Sequence, residues 1–448
     1  MSDLLAARAQ MGTSLAFHII FSVLGVGLPL LLCIAEGLAL YRKDATWMML
    51  TRRWTRAAVV LFVVGAVSGT IISFELGLLW PTYIKYSGAV IGLPFMLEGF
   101  AFFLEAIFFG LYLYGWDRLS PRTHWLCSFP IWISGLASAW FIVSANSWMN
   151  TPAGFIFKNG QITGIHPLQA MLNPSTPYET VHMILACYVA TGFGVAAVYA
   201  VAILRGKRGD YYRKGLLLAM AMGVVAIPLQ MVSGDFNARF LANAQPVKFA
   251  AMEAIFKTES GAPLRLGGLA DPQTGQVYYA LEIPYGDSLL VNFNLHSTVK
   301  GLDSFPRDDW PNPLPVHLSF DAMVGSGSFI LLIALLFWFF YWRMKRKVPE
   351  NRLLLWGIAL CGPLGFLAVE FGWMVTELGR QPWVIYGILR TKDAVTTAPG
   401  LNFSFLGFSL IYVVLATALI RLLLEVARSP LPKVEMPGQR KEPEIAGV

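Results

Sequence analysis

Two carboxylates and one arginine lie in or beside a stretch of sequence that is otherwise apolar enough to cross a membrane. Glu370 and Glu377 belong to the hydrophobic segment 353–378, and Arg380 follows two residues after it. An ionised side chain at the centre of a lipid-spanning helix costs about 2.5–3.5 kcal/mol even on lenient insertion scales. These groups are therefore expected to face a partner inside the protein, which is another side chain, water, an ion or a cofactor.

A histidine and a methionine lie at similar depths in two other hydrophobic segments. His182 and Met323 each lie about one turn inside a segment that is expected to enter the membrane from the same side. Such a pair matches the axial ligands of a six-coordinate haem, which transfers electrons. His18 and Glu377 are expected in the same half of the membrane. The alternatives are a hydrogen bond to a neighbouring helix for each histidine and ordinary packing for the methionine.

The remaining histidines and the cysteines carry weaker signals. Four histidines are expected at the surface or the membrane interface rather than as ligands: His124, His166, His296 and His317. All four cysteines lie in hydrophobic segments and none forms a C-x-x-C pair: Cys33, Cys127, Cys187 and Cys361. This pattern argues against a disulfide framework, an iron–sulfur cluster or a covalently attached haem.

Two further carboxylates share one face of a helix. Glu98 and Glu105 are seven residues apart, about two helical turns, so both side chains point in the same direction. Two acids stacked inside a membrane fit the steps of a proton path. A pair of interhelical hydrogen bonds explains them equally well. Ser138, in a neighbouring segment, either extends such a path or joins two helices by a polar contact.

The elements that must position these residues are membrane spans. The chain has 448 residues, of which 56% are hydrophobic and 14% charged, and its mean hydropathy is +0.57. This composition excludes an ordinary soluble domain. Stretches of about twenty apolar residues, enough for a hydrocarbon core of about 30 Å, recur nine times, at 15–40, 57–79, 91–115, 125–146, 180–204, 215–234, 317–342, 353–378 and 402–426. The predicted fold is an all-α polytopic membrane protein with nine transmembrane helices in a bundle.

The distribution of basic residues predicts the orientation of this bundle. Lys and Arg concentrate in the connections after the first, third, fifth and seventh spans, and the other connections contain few. The positive-inside rule then places the N-terminus outside and the C-terminus inside. The sequence pI of 9.2 reflects this bias in the loops, so no nucleic-acid partner is needed to explain it.

One connection is long enough to carry a function of its own. The chain divides into spans one to six (1–234), an outer loop (235–316), spans seven to nine (317–426) and a cytoplasmic tail (427–448). Loops of this length in a compact protein are usually functional or disordered. The run from Gln245 to Ala254 predicts a short helix that carries Lys248 and Glu253, and two later fragments are strand-like: 276–279 and 289–293.

Several motifs together resemble subunit I of the cytochrome bd-type quinol oxidases in its short quinol-loop form. The resemblance covers the chain from Arg8 to about residue 425. Its motifs occur in the family's order, at Ala16–His18, Glu98–Glu105, Gly115–Arg118, Ala145–Met149, Val181–His182, Gln245–Glu253, Ala322–Met323 and Gly379–Trp383. Each motif is weak alone, and the ordered set is specific.

The resemblance implies a cofactor set and residues that hold it. It implies that His182 and Met323 ligate a low-spin haem b. It implies that His18 and Glu377 serve a high-spin haem b and an oxygen-binding haem, which is haem d or a further haem b, and it leaves open which residue serves which haem. The haem environment would include Trp373 between haems and two arginines at haem propionates, Arg8 and Arg380.

The resemblance also implies an activity, a location and partners. The family's quinol site would be formed by Gln245, Lys248 and Glu253, and its proton path or oxygen site by Glu98, Glu105 and Ser138. Quinol would be oxidised at the outer face and O2 reduced to water with protons from the cytoplasm, which generates a proton gradient. The expected location is the bacterial cytoplasmic (inner) membrane. The expected partners are a second large membrane subunit, a small single-span subunit, quinol, O2 and membrane lipid, with no nucleic acid.

One residue departs from the family pattern. Asp321 stands two residues before Met323, where many members carry arginine. An anionic group therefore replaces a cationic one near the expected low-spin haem. The departure suggests a divergent branch, such as the group described as cyanide-insensitive.

Three other classes of membrane protein compete with this interpretation. A secondary transporter would explain intramembrane carboxylates and the helix prolines Pro228 and Pro363, but it gives no reason for the matched depths of His182 and Met323. A copper-containing oxidase requires clustered histidines, and a dihaem cytochrome b requires two histidine pairs. The spans offer only His18 and His182.

Overall fold

Apolar stretches form helices because a chain in lipid must satisfy its backbone hydrogen bonds internally. The computed structural model describes residues 2–432 and 434. Residues 433 and 435–448 of the predicted tail lie outside the described residues. Among the described residues, nine helical stretches are long and apolar enough to cross a membrane. The predicted fold class and the number of spans are therefore confirmed.

The described residues form fourteen α-helices, ten short strands and two 3₁₀ helices, at Leu302–Ser304 and Arg307–Asp309. The helices are α1 (Asp3–Arg42), α2 (Ala45–Leu79), α3 (Pro81–Tyr114), α4 (Pro121–Leu126), α5 (Ser128–Asn150), α6 (Pro167–Met171), α7 (Thr176–Leu204), α8 (Asp210–Ala244), α9 (Pro246–Met252), α10 (Gly286–Asn292), α11 (Pro313–Arg343), α12 (Arg352–Gly379), α13 (Thr391–Ala394) and α14 (Leu401–Arg428). The strands are β1 (Ile156–Lys158), β2 (Gln161–Thr163), β3 (Glu259–Ser260), β4 (Leu264–Leu266), β5 (Leu269–Asp271), β6 (Gln276–Tyr278), β7 (Leu281–Ile283), β8 (Thr298–Val299), β9 (Trp383–Ile385) and β10 (Leu389–Arg390).

The spanning helices continue beyond the apolar windows that predicted them. α1 begins at Asp3 because the side chain of Ser2 accepts a hydrogen bond from the backbone N–H of Leu5. Asp44 caps α2 in the same way, through the N–H of Thr46. Polar residues at these ends lower the hydropathy without interrupting the helix, since capping satisfies N–H groups that lack partners in the first turn.

Consecutive spans are joined by tight turns or by longer segments that stay on one side of the bundle. The spans therefore alternate in direction, and the bundle has two ends. We call the end that holds the segment 245–312 the large-loop end. We call the opposite end, which holds the connections 205–209 and 344–351, the basic end. His18, His182, Met323 and Glu377 all lie in the part of their helices that is nearer the large-loop end.

α7 lies at the centre of the bundle and packs against α1, α5, α8 and α12. It approaches α8 closely where glycines face each other: a Cβ at Gly192 would lie 2.8 Å from the backbone nitrogen of Gly223. Small residues at such crossings allow helices in a membrane to pack backbone to backbone. α11 packs against α8 and α12. The four helices α7, α8, α11 and α12 therefore form one group, which carries both His182 and Met323.

The segment 245–312 folds over the large-loop end. The helix predicted at 245–254 is confirmed as α9, which is buried and packs against α8, α11 and α12. Three antiparallel pairs, β3 with β8, β4 with β7 and β5 with β6, follow it, and β6 confirms the strand at 276–279. The strand predicted at 289–293 is wrong. The N–H groups of Asp287 and Ser288 both donate to the carbonyl of Ala262. The chain at this point begins the helix α10 rather than a strand.

Candidate functional site

The two charged residues at the end of α12 are partners of each other. Arg380 is buried and forms an ion pair with Glu377 Oε2. The amide of Asn146, on α5, donates to the other oxygen of Glu377 at 2.7 Å. The intramembrane carboxylate thus faces the protein interior, as its cost in lipid requires. Glu370 and Trp373, on the same helix, each keep a buried polar atom without a partner among the described residues: Oε1 and Nε1.

Lys248 extends this network from the large loop into the bundle. Its side chain is 3% exposed, and its amine donates to Asn150 Oδ1 at 2.8 Å. Arg380 donates to the same oxygen at 3.3 Å. The stem of Lys248 fits against Gly379, where a Cβ would lie 2.8 Å from Lys248 Cγ. Asn150 therefore joins the cation of the loop to the Arg380–Glu377 pair.

Glu179 completes the network and was not identified from the sequence. Asn150 Nδ2 donates to Glu179 Oε1 at 2.9 Å. Glu179 lies on α7, about one turn before His182. The sequence did offer a signal for Glu179, since a carboxylate stands three residues before His182, where an apolar span begins. The network brings two basic groups, Lys248 and Arg380, together with two acidic groups, Glu179 and Glu377, and this pairing lowers the cost of burying them.

Burial sets the proton affinity of Lys248. Loss of hydration lowers the pKa of its amine to about 7, while the carboxylate of Glu179 acts in the opposite direction. An amine with this pKa exchanges its proton near neutral pH, unlike an exposed lysine.

Glu253 and Gln245 flank Lys248 on either side of α9. Both are buried, and the Oε2 atom of Glu253 and both amide atoms of Gln245 lack partners among the described residues. Burial raises the pKa of Glu253 well above its usual range, and the carboxylates of Asp287 and Asp321 raise it further. The carboxyl group of Glu253 therefore holds its proton more tightly than an exposed glutamic acid does.

His317 corrects an expectation from the sequence, which placed it at the surface or the membrane interface. It is fully buried, with Nδ1 2.8 Å from the carbonyl oxygen of Met252 and Nε2 3.0 Å from that of Gly267. Asp321, one turn further on, accepts from the N–H of Gly267 at 2.8 Å. The departure at position 321 thus has a structural consequence, because Asp321 and His317 together fasten the large loop to α11.

Three of the four candidate ligands, His18, His182 and Met323, each pack against a glycine of a neighbouring helix. A Cβ at Gly69 would lie 3.0 Å from His18 Cε1, one at Gly234 would lie 3.2 Å from His182 Cε1, and one at Gly372 would lie 3.1 Å from Met323 Sδ. A larger residue at any of these three positions would therefore displace the candidate ligand, so the glycines help to fix where each ligand side chain lies.

The two candidate histidines also have polar partners. The nitrogens of His18 lie 2.9 Å from Ser68 Oγ and 3.0 Å from Ser22 Oγ. Those of His182 lie 3.0 Å from Ser233 Oγ and 3.0 Å from Gln230 Nε2. The sequence alternative, a hydrogen bond to a neighbouring helix, is therefore present in this protein alone. Both nitrogens of each ring have a partner, so a bound metal would replace one of these hydrogen bonds and leave the other, which a ligand histidine normally keeps on its second nitrogen.

The acidic pair on α3 faces α5, as its seven-residue spacing predicts. Ser138 Oγ donates to Glu98 Oε1 at 3.2 Å. The carboxylate oxygens of Glu105 lie 3.8 Å from the position that a Cβ of Gly135 would occupy. Glu98, Glu105 and Ser138 are therefore brought together along one helix interface. Arg8 lies apart from them, partly buried in the first turns of α1.

A second histidine expected at the surface is also buried. His124, on α4, lies 2.7 Å from Glu36 of α1 and is covered by Tyr112 and Trp116 of the α3 end. The expectation is wrong because its partner lies 88 residues away in the chain, and local sequence does not reveal such a contact. The sequence analysis also missed Glu36.

Comparisons with known proteins agree on one family. Residues 6–430 match the family model of cytochrome bd terminal oxidase subunit I. The chain is 40% identical over 431 residues to a Bacillus subtilis (strain 168) protein named "Putative cytochrome bd menaquinol oxidase subunit I", with 95% of this chain and 96% of that protein covered. It is 32% identical to cytochrome bd ubiquinol oxidase subunit 1 of the same organism, with 94% and 92% covered.

A solved structure shares the whole architecture. The bd oxidase from Geobacillus thermodenitrificans superposes with a TM-score of 0.90 at 38% identity, and the match covers 96% of this chain and 99% of that one. A secondary transporter is not favoured by any of these matches. The chain belongs to the cytochrome bd terminal oxidase subunit I family, and it is a haem-protein subunit of a quinol oxidase in a bacterial membrane.

Proposed function

We propose that this chain carries the haems of a respiratory terminal oxidase that oxidises quinol at the large-loop end and reduces O2 to water. In this proposal the large-loop end faces the outside of the bacterial cytoplasmic membrane and the basic end faces the cytoplasm. Protons from quinol leave on the outer side, and protons for water formation enter from the inner side. Turnover then builds a proton gradient without carrying a charged group across the membrane.

The observation that carries this proposal is the buried connection from the loop to the bundle through Asn150. Lys248 and Arg380 both donate to Asn150 Oδ1, and Arg380 is paired with Glu377. A group of the candidate quinol site and a candidate ligand of the oxygen chemistry are thus two hydrogen-bonded residues apart. This proximity supports quinol oxidation and haem binding at the same end.

The residues around α9 suit quinol in different ways. Lys248, with a pKa of about 7, accepts a hydroxyl proton of quinol in its neutral form. Glu253, whose pKa is raised by burial and by Asp287 and Asp321, keeps its proton and donates a hydrogen bond to a quinol oxygen. Gln245 offers an unpartnered donor and acceptor in the same buried region and orients the head group.

The residues fit haem by their donor types and by the unpartnered polar groups near them. His182 and Met323 would hold a low-spin haem b, and His18 and Glu377 would hold the high-spin haem b and the oxygen-binding haem d, or a further haem b. The buried Nε of Arg380 lacks a partner among the described residues and is a donor available to a haem propionate, and Arg8 adds a cation at the start of α1. Trp373, whose buried Nε1 also lacks a partner among the described residues, would lie between haems. When bound, these haems supply one-electron transfer and O2 binding.

Proton delivery to the oxygen site is assigned to the face of α3. Glu105 is buried and Glu98 is hydrogen-bonded to Ser138. A buried carboxyl can hold a proton in neutral form and release it to a neighbouring group as charge moves nearby. In this proposal Glu105 and Glu98 pass protons towards the haems, and Ser138 orients Glu98.

The proposal includes partner subunits. A second large membrane subunit, and a small single-span subunit, would complete the complex in the cytoplasmic membrane. α14 and the outer face of α3 expose many large apolar side chains, among them Phe103, Ile107, Phe403 and Leu410. Either lipid or a partner helix can cover such apolar faces. Because the proposal includes partner subunits, activity is to be assayed on the purified complex.

The test of the quinol site is Lys248→Ala in the purified complex. We expect quinol oxidation to fall by about tenfold or more while the haem spectrum stays unchanged, because the residue holds no haem. Lys300→Ala, at an exposed lysine of the same loop, is the matched control and should retain full activity. Normal turnover in Lys248→Ala would contradict the assignment, and loss of haem would make the loop contact structural.

A further inference from the structure

Glu36, Tyr112 and His124 form a closed hydrogen-bonded cluster at the basic end. His124 Nδ1 lies 2.7 Å from Glu36 Oε1, and the hydroxyl of Tyr112 donates to Glu36 Oε2 at 2.5 Å. His124 Nε2 lies 2.8 Å from the carbonyl oxygen of Tyr112. All three side chains are buried, and they join α1, α3 and α4.

The partners of His124 fix the number of protons in this cluster. A carbonyl oxygen only accepts hydrogen bonds, so Nε2 carries a proton. The contact between Nδ1 and Glu36 requires a second proton, either on the imidazole or on the carboxyl group. The Glu36–His124 pair therefore holds one proton between two bases and is neutral overall. Without it the pair becomes a buried anion, which is costly until another proton arrives.

The cluster lies in line with the acidic pair on α3. Glu98, Glu105 and Tyr112 follow one another at intervals of seven residues, so they share a helix face in steps of about 10 Å. Between Glu105 and Tyr112, residues 106–111 contain no ionisable or hydroxyl side chain. The cluster is therefore the next proton-bearing group along α3 from Glu105 towards the basic end.

A break in α1 supplies a polar group inside this step. Pro29 has no N–H, so the carbonyl of Gly25 lacks its usual helical donor. Gly25 O lies 3.1 Å, and the Glu105 carboxylate oxygens lie 3.8 Å, from the position that a Cβ of Gly135 would occupy. The Gly25 carbonyl and the Glu105 carboxylate therefore both lie beside Gly135. Gly25, Pro29 and Phe109 also line a small cavity.

We infer that the Glu36–His124 pair holds the proton that refills Glu105, with water at the Gly25 carbonyl as the carrier. The inference rests on the proposed proton path through Glu105. When Glu105 gives up its proton, the pair's proton moves to Glu105, and a proton from the aqueous phase at the basic end restores the pair. Tyr112 is a positioning residue, because its hydroxyl holds the Glu36 carboxylate in place.

The surroundings suit a site that is briefly anionic. The guanidinium of Arg52, on α2, lies 4.9 Å from the Trp116 ring centroid, and that ring lies 3.9 Å from the His124 ring. The titratable groups that face the pair are Cys33 of α1, Tyr112 of α3 and Cys127, the C-cap residue of α4. A nearby cation lowers the cost of the anionic intermediate.

The test uses Glu36→Gln and His124→Gln in the complete complex. Each variant keeps hydrogen-bonding groups and removes the shared proton. Proton uptake from the basic-end side is measured in vesicles supplied with a water-soluble quinol and O2, together with the haem spectrum. We expect full haem content and a rate about tenfold lower at about pH 8, with a smaller loss at about pH 6, because direct delivery depends on proton concentration.

Two controls bracket this expectation. Asp44→Asn removes a different carboxylate, the ion-pair partner of Lys214 at the same end, and should leave the rate and its pH profile unchanged. Tyr112→Phe keeps the pair but loses the positioning hydroxyl, so it should lower the rate less than either Gln variant.

Glu105→Gln separates the two levels of the proposal. If proton uptake is slow in Glu105→Gln but normal in Glu36→Gln and His124→Gln, this inference alone is overturned. A normal Glu105→Gln overturns the proposed path and the inference with it. If either Glu36→Gln or His124→Gln loses its haems, the proton-uptake rate of the other variant decides whether the inference stands. Loss of haem in both would make the cluster a structural fastening and would overturn the inference.

Discussion

At the residue scale, Lys248 shows how burial changes a side chain from a cation into a base. Its amine is enclosed by α9, α5 and α12, and the loss of hydration lowers its pKa to about 7. Glu179, which shares Asn150 with it, favours the charged form and so raises the pKa of Lys248. The pH at which this amine becomes a base is therefore set by burial, which lowers its pKa most, and by the opposing charges of Glu179, Arg380 and Glu377.

This balance predicts the effect of Glu179→Gln on pH dependence. The amine accepts a proton only above its pKa, so quinol oxidation by the wild type should rise with pH through about 7. Removal of the carboxylate lowers the pKa of Lys248 further, and we expect the rising limb to move to lower pH by about one unit. The measurement is the pH profile of quinol oxidation. Glu282→Gln, at an exposed carboxylate of the loop, should leave the limb in place, and a shift to higher pH in Glu179→Gln would contradict the account.

Sequence reasoning found the residues that belong to motifs and missed those defined by distant contacts. Lys248 and Glu253 stand in a recognisable run on one short helix, and the structure places both in a buried region. Glu36 has no such run around it, and its role depends on His124, 88 residues away. The burial of His317 was missed because its partners, Met252 and Gly267, are distant in the sequence and only the folded loop brings them to it.

At the element scale, the contact between α7 and α8 sets how closely the helices of the group α7, α8, α11 and α12 pack. Gly192→Ala would place a Cβ 2.8 Å from the backbone of Gly223, and backbone cannot move aside as a side chain can. We expect a destabilisation of about 1–3 kcal/mol from overpacking, seen as a lower Tm in thermal unfolding of the solubilised complex.

A glycine without neighbours provides the matched control for this substitution. A Cβ at Gly407, on α14, meets nothing within 4 Å, so Gly407→Ala should leave the Tm unchanged or raise it slightly through its better helix propensity. Equal melting of Gly192→Ala and the wild type would show that the two helices are not held in close contact.

Hydropathy predicts the existence of these helices better than their ends. The first window began at residue 15, whereas α1 begins at Asp3, because Ser2 and Asp3 form a good helix start despite their polarity. The segment 289–293 is apolar and short, so its pattern could not distinguish a strand from a helical turn. Only in the folded loop do the N–H groups of Asp287 and Ser288, just before this segment, donate to the carbonyl of Ala262, and α10 forms there.

At the scale of the whole molecule, the two ends of the bundle differ in charge and in structure. The large-loop end carries the buried network around Asn150, and the basic end carries the arginine-rich connections. The positive-inside rule therefore predicts that the basic end faces the cytoplasm. Single cysteines test this prediction: Lys158→Cys should react with a membrane-impermeant maleimide in intact cells, and Lys207→Cys only after lysis. The reverse pattern would invert the orientation and with it the direction of proton release.

The central claim is that this chain holds a low-spin haem b between His182 and Met323 for electrons from quinol. The most direct measurement is the reduced-minus-oxidised absorption spectrum of the purified complex in the wild type, His182→Ala, Met323→Leu and the exposed control His296→Ala. We predict a low-spin b band in the wild type and the control, and loss of that band in both ligand variants. Retention of the band in both ligand variants would contradict the axial assignment, and a colourless wild-type complex would contradict the account as a whole.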